Sequence, residues 1–158
     1  MRLTRAGEYA IRCALYLSIQ GRGVLAKRRA IAGTMGIPGQ FLGKIAQQLS
    51  QAGIIDIVQG AGGGYRLRVP PHELTLLDVV EAVIGEIVLN DCVAHPETCY
   101  RSPSCAVHVV WEKARAQLRE TLRRARFSDL AAKDTCIAEL IRSAEDPSPG
   151  PTPHIQRR

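Results

Sequence analysis

Residues 92–111, CVAHPETCYRSPSCAVHVVW, hold three of the five cysteines and two of the four histidines in a chain of 158 residues. Thiolate and imidazole are ready ligands for transition metals, and a thiol of lowered pKa is also a nucleophile or redox centre. Cys92, Cys99 and Cys105 are separated by six and then five residues. Zinc ribbons and fingers take two ligands from one tight turn, so these wider intervals favour a polynuclear iron-sulfur cluster wrapped by a loop. Structural zinc and three unligated thiols stay open as alternatives. An odd set of five cysteines argues against a disulfide framework.

Pro96 and Pro103 stiffen the loop, and Pro103-Ser104 marks the start of a helix with Ser104 as N-cap. Cys105 then falls in the first helical turn, where the dipole favours thiolate, and His108 shares its face. His95, beside Pro96, reads as a solvated loop residue. Cys13 and Cys136 lie on apolar helix faces and read as small core residues. Cys105 and His108 could in principle act as nucleophile and base. No acid is obviously placed to orient His108 and no glycine-rich cofactor loop accompanies it, so no enzyme is expected.

Charge divides the chain that must position this segment. The net charge is +6, yet residues 1–69 carry ten Lys/Arg against two acids, whereas residues 70–158 carry eleven against thirteen. The first half therefore has the footprint of a polyanion binder. Within it, apolar residues from Thr4 to Gln20 predict a first helix ended by Gly21 and Gly23. A second helix fits Ala26 to Met35, exposing Lys27, Arg28 and Arg29. Gly36-Ile37-Pro38 breaks the chain, and a third helix runs Gly39 to Gln51 with Leu42, Ile45, Ala46 and Leu49 inward. Ala32, Gly36 and Leu42 match the small, turn and apolar positions of a helix-turn-helix. IIDIVQ and YRLRV, separated by Gly60-Ala61-Gly62-Gly63-Gly64, predict a hairpin with a flexible tip, hence a winged helix.

In that geometry Gly39, Gln40, Gly43, Lys44 and Gln47 are the positions of the recognition helix able to reach double-stranded DNA. Gln40 and Gln47 suit base edges and Lys44 suits phosphate or guanine. At the wing, Gly62 and Gly63 leave room for a groove edge, and Arg66 and Arg68 share a face that could track phosphates.

Leu74 to Ile84 predicts a fourth helix. From Cys105 to Phe127 a long helix carries Val107, Val110, Trp111, Ala114, Leu118, Thr121, Leu122 and Ala125 at near-heptad spacing, with Trp111 as a dimer-core anchor. A last helix fits Asp129 to Ser143, and the proline-rich tail is too polar to pack. The fold class is thus mainly α with a small β-hairpin wing, a winged helix-turn-helix plus a long dimerisation helix. Its expected divisions are a DNA-binding domain (1–70), a connecting helix and cysteine loop (71–104), dimerisation and terminal helices (105–143) and a disordered tail (144–158). No window is apolar enough for a signal peptide or membrane span, so a cytoplasmic protein without a membrane partner is expected.

Five motifs in order, MRLTRAGEYAIR, GIPGQFLGKIAQQLSQAG, VQGAGGGYRL, LTLLDVVEAV and the Cys…Cys…Cys…His-x-x-Trp segment, resemble the Rrf-two family of bacterial transcription regulators across residues 1–142. The resemblance implies a homodimeric regulator, expected to be a repressor, whose DNA affinity is controlled by an iron-sulfur cluster (2Fe-2S or 4Fe-4S) sensing iron, redox state or nitric oxide. It also implies that Cys92, Cys99 and Cys105 ligate iron. For the fourth ligand, IscR-like members point to His108, and other members point to Glu8 of the second protomer. The interval from Cys92 to Cys99 is one residue longer than in IscR, which leaves the cluster type open. A regulator of the same fold that binds zinc, or that has no cluster and senses a metabolite or protein partner, is the alternative.

Overall fold

The computed structural model describes residues 4–145; the expected tail lies outside them but for its first two residues, which end the last helix. The chain is mostly helical, with one two-stranded antiparallel sheet. Among the described residues no helix is long and apolar enough to cross a membrane.

Helix α1 (Arg5–Gln20) starts where the Thr4 hydroxyl accepts from Gly7 N–H at 3.2 Å. Ala10, Cys13, Ala14 and Leu17 are fully buried at helical spacing and form the spine of the main core. Helix α2 (Arg28–Met35) stops at Gly36, which takes the left-handed conformation at φ 61°. Helix α3 (Gly39–Gln51) then buries Leu42, Ile45, Ala46 and Leu49 on the same core. This is the expected helix-turn-helix.

Strands β1 (Ile55–Val58) and β2 (Gly64–Leu67) pair with Ile55 opposite Leu67 and Asp56 opposite Arg66. The second helix does not begin at Ala26 as expected. Ala26 exchanges both backbone hydrogen bonds with Tyr65, at 2.9 Å each, and so extends the wing on the far edge of β2. The five-residue tip is also less free than its composition implies. A Cβ on Gly64 would overlap the Ala26 carbonyl, and one on Gly63 would overlap the Val58 carbonyl, whereas Gly62 faces open space. Two of these glycines therefore serve the wing's own packing.

Helix α4 (Leu76–Ile84) opens with a reciprocal capping box between Thr75 and Asp78. The cysteine segment follows as a short helix, α5 (Asp91–Ala94), and two single turns of 3₁₀-helix, Pro96–Thr98 and Ser102–Ser104. The long helix α6 runs Ala106–Arg124, later at its start and earlier at its end than expected. Ser104 is consumed by the tight turn that Pro103 nucleates, so Cys105, with extended backbone, occupies the N-cap position instead of the first turn. At the other end the chain extends to pair with the start of α4. Leu76 N–H donates to the Ala125 carbonyl at 2.9 Å and Phe127 N–H to the Leu74 carbonyl at 3.0 Å.

The expected last helix is two. Helices α7 (Phe127–Lys133) and α8 (Thr135–Glu145) are separated at Asp134, whose carboxylate accepts from Ile137 N–H at 3.1 Å and caps the second. Fully buried Phe127 and nearly buried Ile141 bring both helices back onto the main core. Cys136, expected in the core, is exposed, because α8 packs through Ile137 and Ile141.

A second apolar cluster joins Leu77, Val80 and Ile87 to Leu118 and Leu122 of α6 and to Ile11. The heptad-like stripe of α6 is therefore split. Its C-terminal half packs on α4, while Val107 and Val110 are 60% and 65% exposed and Trp111 is 38% exposed.

Candidate nucleic-acid interface and cysteine site

Between α3 and the hairpin lies an open groove of about 470 Å³, lined by Arg28, Gln40, Gly43, Lys44, Gln47 and Gly63 among others. Six sequence-predicted residues thus converge on one polar concavity. Gln59, just past the end of β1, and Tyr65 of β2 line it as well. Neither was singled out from sequence, although the strand alternation that brings Gln59 to the tip was readable. Lys27 and Arg29 are exposed on either side of Arg28, and Gly39 opens α3. Gly62 stands at the open tip.

The basic residues are not equivalent. Arg28 Nη2 donates to the Gly39 carbonyl, which fixes it to the first turn of α3. Arg66 pairs with its cross-strand neighbour Asp56 at 3.0 Å, so part of its charge is compensated locally. Arg68 shares its exposed face, and its carbonyl accepts from Arg22 Nε at 3.0 Å. The Arg12 guanidinium sits 5.7 Å from the Tyr9 ring centroid, and Tyr9 meets half-exposed Phe41 of α3 at 6.0 Å between ring centroids.

In the cysteine segment, Cys92, Cys99 and Cys105 are all free and partly buried. The Arg101 backbone N–H, followed by the Ser102 hydroxyl, holds the Cys99 thiol below the ordinary thiol range. His108 is only 8% exposed, and its Nδ1 has no hydrogen-bond partner. Its Nε2 lies 3.6 Å from Glu112 Oε1, one turn on. An acid therefore does stand beside His108, at the i+4 position. His95 is exposed, 3.3 Å from Glu97.

Donor chemistry fits a cluster: three free thiols in one short segment, and a buried imidazole whose Nδ1 lacks a partner. The donors are not gathered, since among the described residues no three Cys, His, Asp or Glu side chains converge as a metal-ion site. Glu8 is exposed in the first turn of α1.

The turn between α4 and the cysteine segment is riveted by side chains that sequence reasoning missed. Glu81 accepts from Ile87 N–H at 2.9 Å, and Arg115 Nε donates to the Ile87 carbonyl at 3.0 Å. Arg119 bridges Glu81 and Glu86, and Arg115 also pairs with Glu86. Trp111 Nε1 lies 2.9 Å from the Asn90 side-chain oxygen in the amide orientation that satisfies both groups. On the opposite side, Gln48 of α3 donates to the Val83 carbonyl at 3.2 Å. Helix α4 is thus tied both to the recognition helix and to the helix that follows the cysteines.

The Rrf2 family model, described as an iron-dependent transcriptional regulator, matches residues 3–133. The chain belongs to the Rrf2 family. Among curated relatives of this Rrf2 protein, Protein aau3 of Rhizobium meliloti is 34% identical over 131 residues, spanning 82% of this chain and 84% of that one. The HTH-type transcriptional regulator NsrR of Bacillus subtilis is 27% identical over 146 residues, 92% of this chain and 100% of that one. In fold it is similar to CymR (YrzC), the global cysteine regulator of B. subtilis, with a TM-score of 0.70 at 22% identity, covering 84% of this chain and 97% of that one. The Rrf2 winged helix expected from sequence is therefore the fold, and transcriptional regulation is the family's function.

Proposed function

We propose that this Rrf2 regulator is a DNA-binding repressor, active as a homodimer, whose DNA affinity is set by an iron-sulfur cluster held by Cys92, Cys99 and Cys105. The observation that carries the sensor is the set of three free thiols in one short segment with an imidazole buried with Nδ1 unpartnered. The family description, iron-dependent, supports it. His108 is the fourth ligand from within the chain, through Nδ1. Glu112 beside Nε2 favours the tautomer that carries its proton there, leaving Nδ1 free to ligate. Glu8 of a second copy is the competing ligand. When bound, a cluster supplies a centre that responds to iron supply, oxidation and nitric oxide.

The chain's own residues then carry the response. The cysteine segment adjoins α6 through Asn90 and Trp111, α6 grips the end of α4 through Arg115 and Arg119, and Gln48 links α4 to α3. A change of order in the segment biases the angle between two recognition helices of the dimer, whose half-sites lie about one DNA turn apart. Lys27, Arg29, Gln40, Lys44, Gln47 and Arg68 face the DNA.

Anaerobic purification tests this. The wild type is expected to be coloured, with visible absorption that disappears when any of Cys92, Cys99 or Cys105 is replaced by Ala. His108→Ala against Glu8→Ala identifies the fourth ligand by which of them alters the spectrum. A colourless protein that binds one zinc tightly would sink the cluster. Equal DNA affinity of a cysteine-free variant and of the wild type in every cluster state would sink the coupling. A second reading, a thiol sensor without a cluster, is favoured by the free, partly buried Cys99 thiol and its lowered pKa. In that case the colourless protein changes DNA affinity on thiol oxidation.

A further inference from the structure

Of the residues lining the groove, Arg28 alone belongs to neither wall. It enters from the first turn of α2, the helix that crosses the DNA backbone in a helix-turn-helix. Its Nη2 donates to the Gly39 carbonyl, and its guanidinium lies over Gly43. A Cβ at position 43 would stand 3.3 Å from Arg28 Nη2, 3.7 Å from Cζ and 4.0 Å from Nη1, and these are its three nearest neighbours. Glycine inside a helix weakens it, so the missing side chain in the middle of α3 needs a reason. Among the described residues no carboxylate pairs with Arg28. The groove therefore holds a cation with no carboxylate partner, seated on the first turns of α3.

We propose that Arg28 is a preset phosphate clamp for the DNA strand lying between α3 and the wing, and that Gly43 is its seat rather than a contact to a base. The choice of phosphate over a base edge rests on the origin of Arg28 in the backbone-crossing helix. A guanidinium already ordered by the protein loses little freedom on meeting phosphate, so the glycine is compensated at the DNA step.

The inference rests on the DNA-binding reading and is tested with two probes: a duplex selected by the wild-type protein from randomised DNA, and a mixed-sequence duplex. Arg28→Ala is expected to weaken binding to both by the same factor, roughly tenfold at low salt, and to flatten the slope of log affinity against log salt by about one. Gly43→Ala is expected to keep or raise the melting temperature while weakening both duplexes several-fold, and to have no further effect in the Arg28→Ala background. A loss from Arg28→Ala confined to the selected duplex would make Arg28 a base reader and overturn the clamp. A Gly43→Ala loss that persists without Arg28 would place Gly43 against the DNA and overturn the seat. If the wild type binds neither duplex in any cluster state, the DNA-binding reading falls and this inference with it. If it binds and both variants bind equally well, only this inference falls.

Discussion

Two cysteines show how surroundings decide what a thiol can do. Cys13, fully buried among the aliphatic side chains of α1, has its pKa pushed up to about 12 by loss of water. Cys99 is held low by the Arg101 backbone N–H and the Ser102 hydroxyl. At neutral pH a maleimide is expected to label Cys99 in the folded, cluster-free protein and to reach Cys13 only after unfolding, with the order of labelling read by mass spectrometry. The buried thiol also fixes a sign. Its folded pKa lies above the unfolded value of 9.0, so the folded state holds the proton longer and stability falls as pH rises from about 9 toward 12. Cys13→Ala should flatten that alkaline limb of a denaturant-midpoint series. The tip glycines give a second contrast. Gly64→Ala forces a Cβ onto the Ala26 carbonyl and is expected to cost about 1–3 kcal/mol, whereas Gly62→Ala, facing open space, should stay within about 0.5 kcal/mol. Chemical denaturation of the two variants checks this.

At the scale of elements, local signals decided most boundaries and long-range pairing decided the rest. The Gly36-Ile37-Pro38 break and the spacing of Leu42, Ile45, Ala46 and Leu49 were sufficient to delimit α3. The start of α4 rests on Thr75 and Asp78, and Thr75→Ala is expected to cost about 1 kcal/mol in thermal unfolding. That loss should be larger than for an exposed cap, because Thr75 is buried and its hydroxyl bonds both the Asp78 backbone and the Asp78 carboxylate. The bridge between Thr75 and Arg126 ends α6 at Arg124, and no periodicity in α6 itself foretells it. Ala26 is a similar case: its helix-friendly side chain yields to two backbone hydrogen bonds with Tyr65. Asp134 splits the final helix because its short carboxylate serves as a cap more effectively than as a helix interior residue.

For the whole molecule, the exposed valines at the start of α6 are an apolar feature that one chain leaves uncovered. Val107, Val109 and Val110 are each 60% or more exposed, beside half-covered Trp111. If the proposed dimer forms across this half of α6, the double variant Val107→Asp and Val110→Asp should sediment as a monomer with unchanged helical circular dichroism. It should also bind DNA with the affinity of a single half-site. A dimer that survives both charges would locate the interface elsewhere. The sequence alone was enough for the winged helix, the basic groove face and the ligand-rich segment, because caps, breaks, apolar periods and charge excess act over a few residues. Tertiary structure alone decided that Gly43 makes room for Arg28, that Gly64 makes room for Ala26, that His108 is buried, and that Ile87 is held by Glu81 and Arg115. Most of these contacts join residues far apart in the chain, and only packing decides that the His108 imidazole is buried. A pattern of residue types carries no record of which distant backbone or side chain will fill a given space.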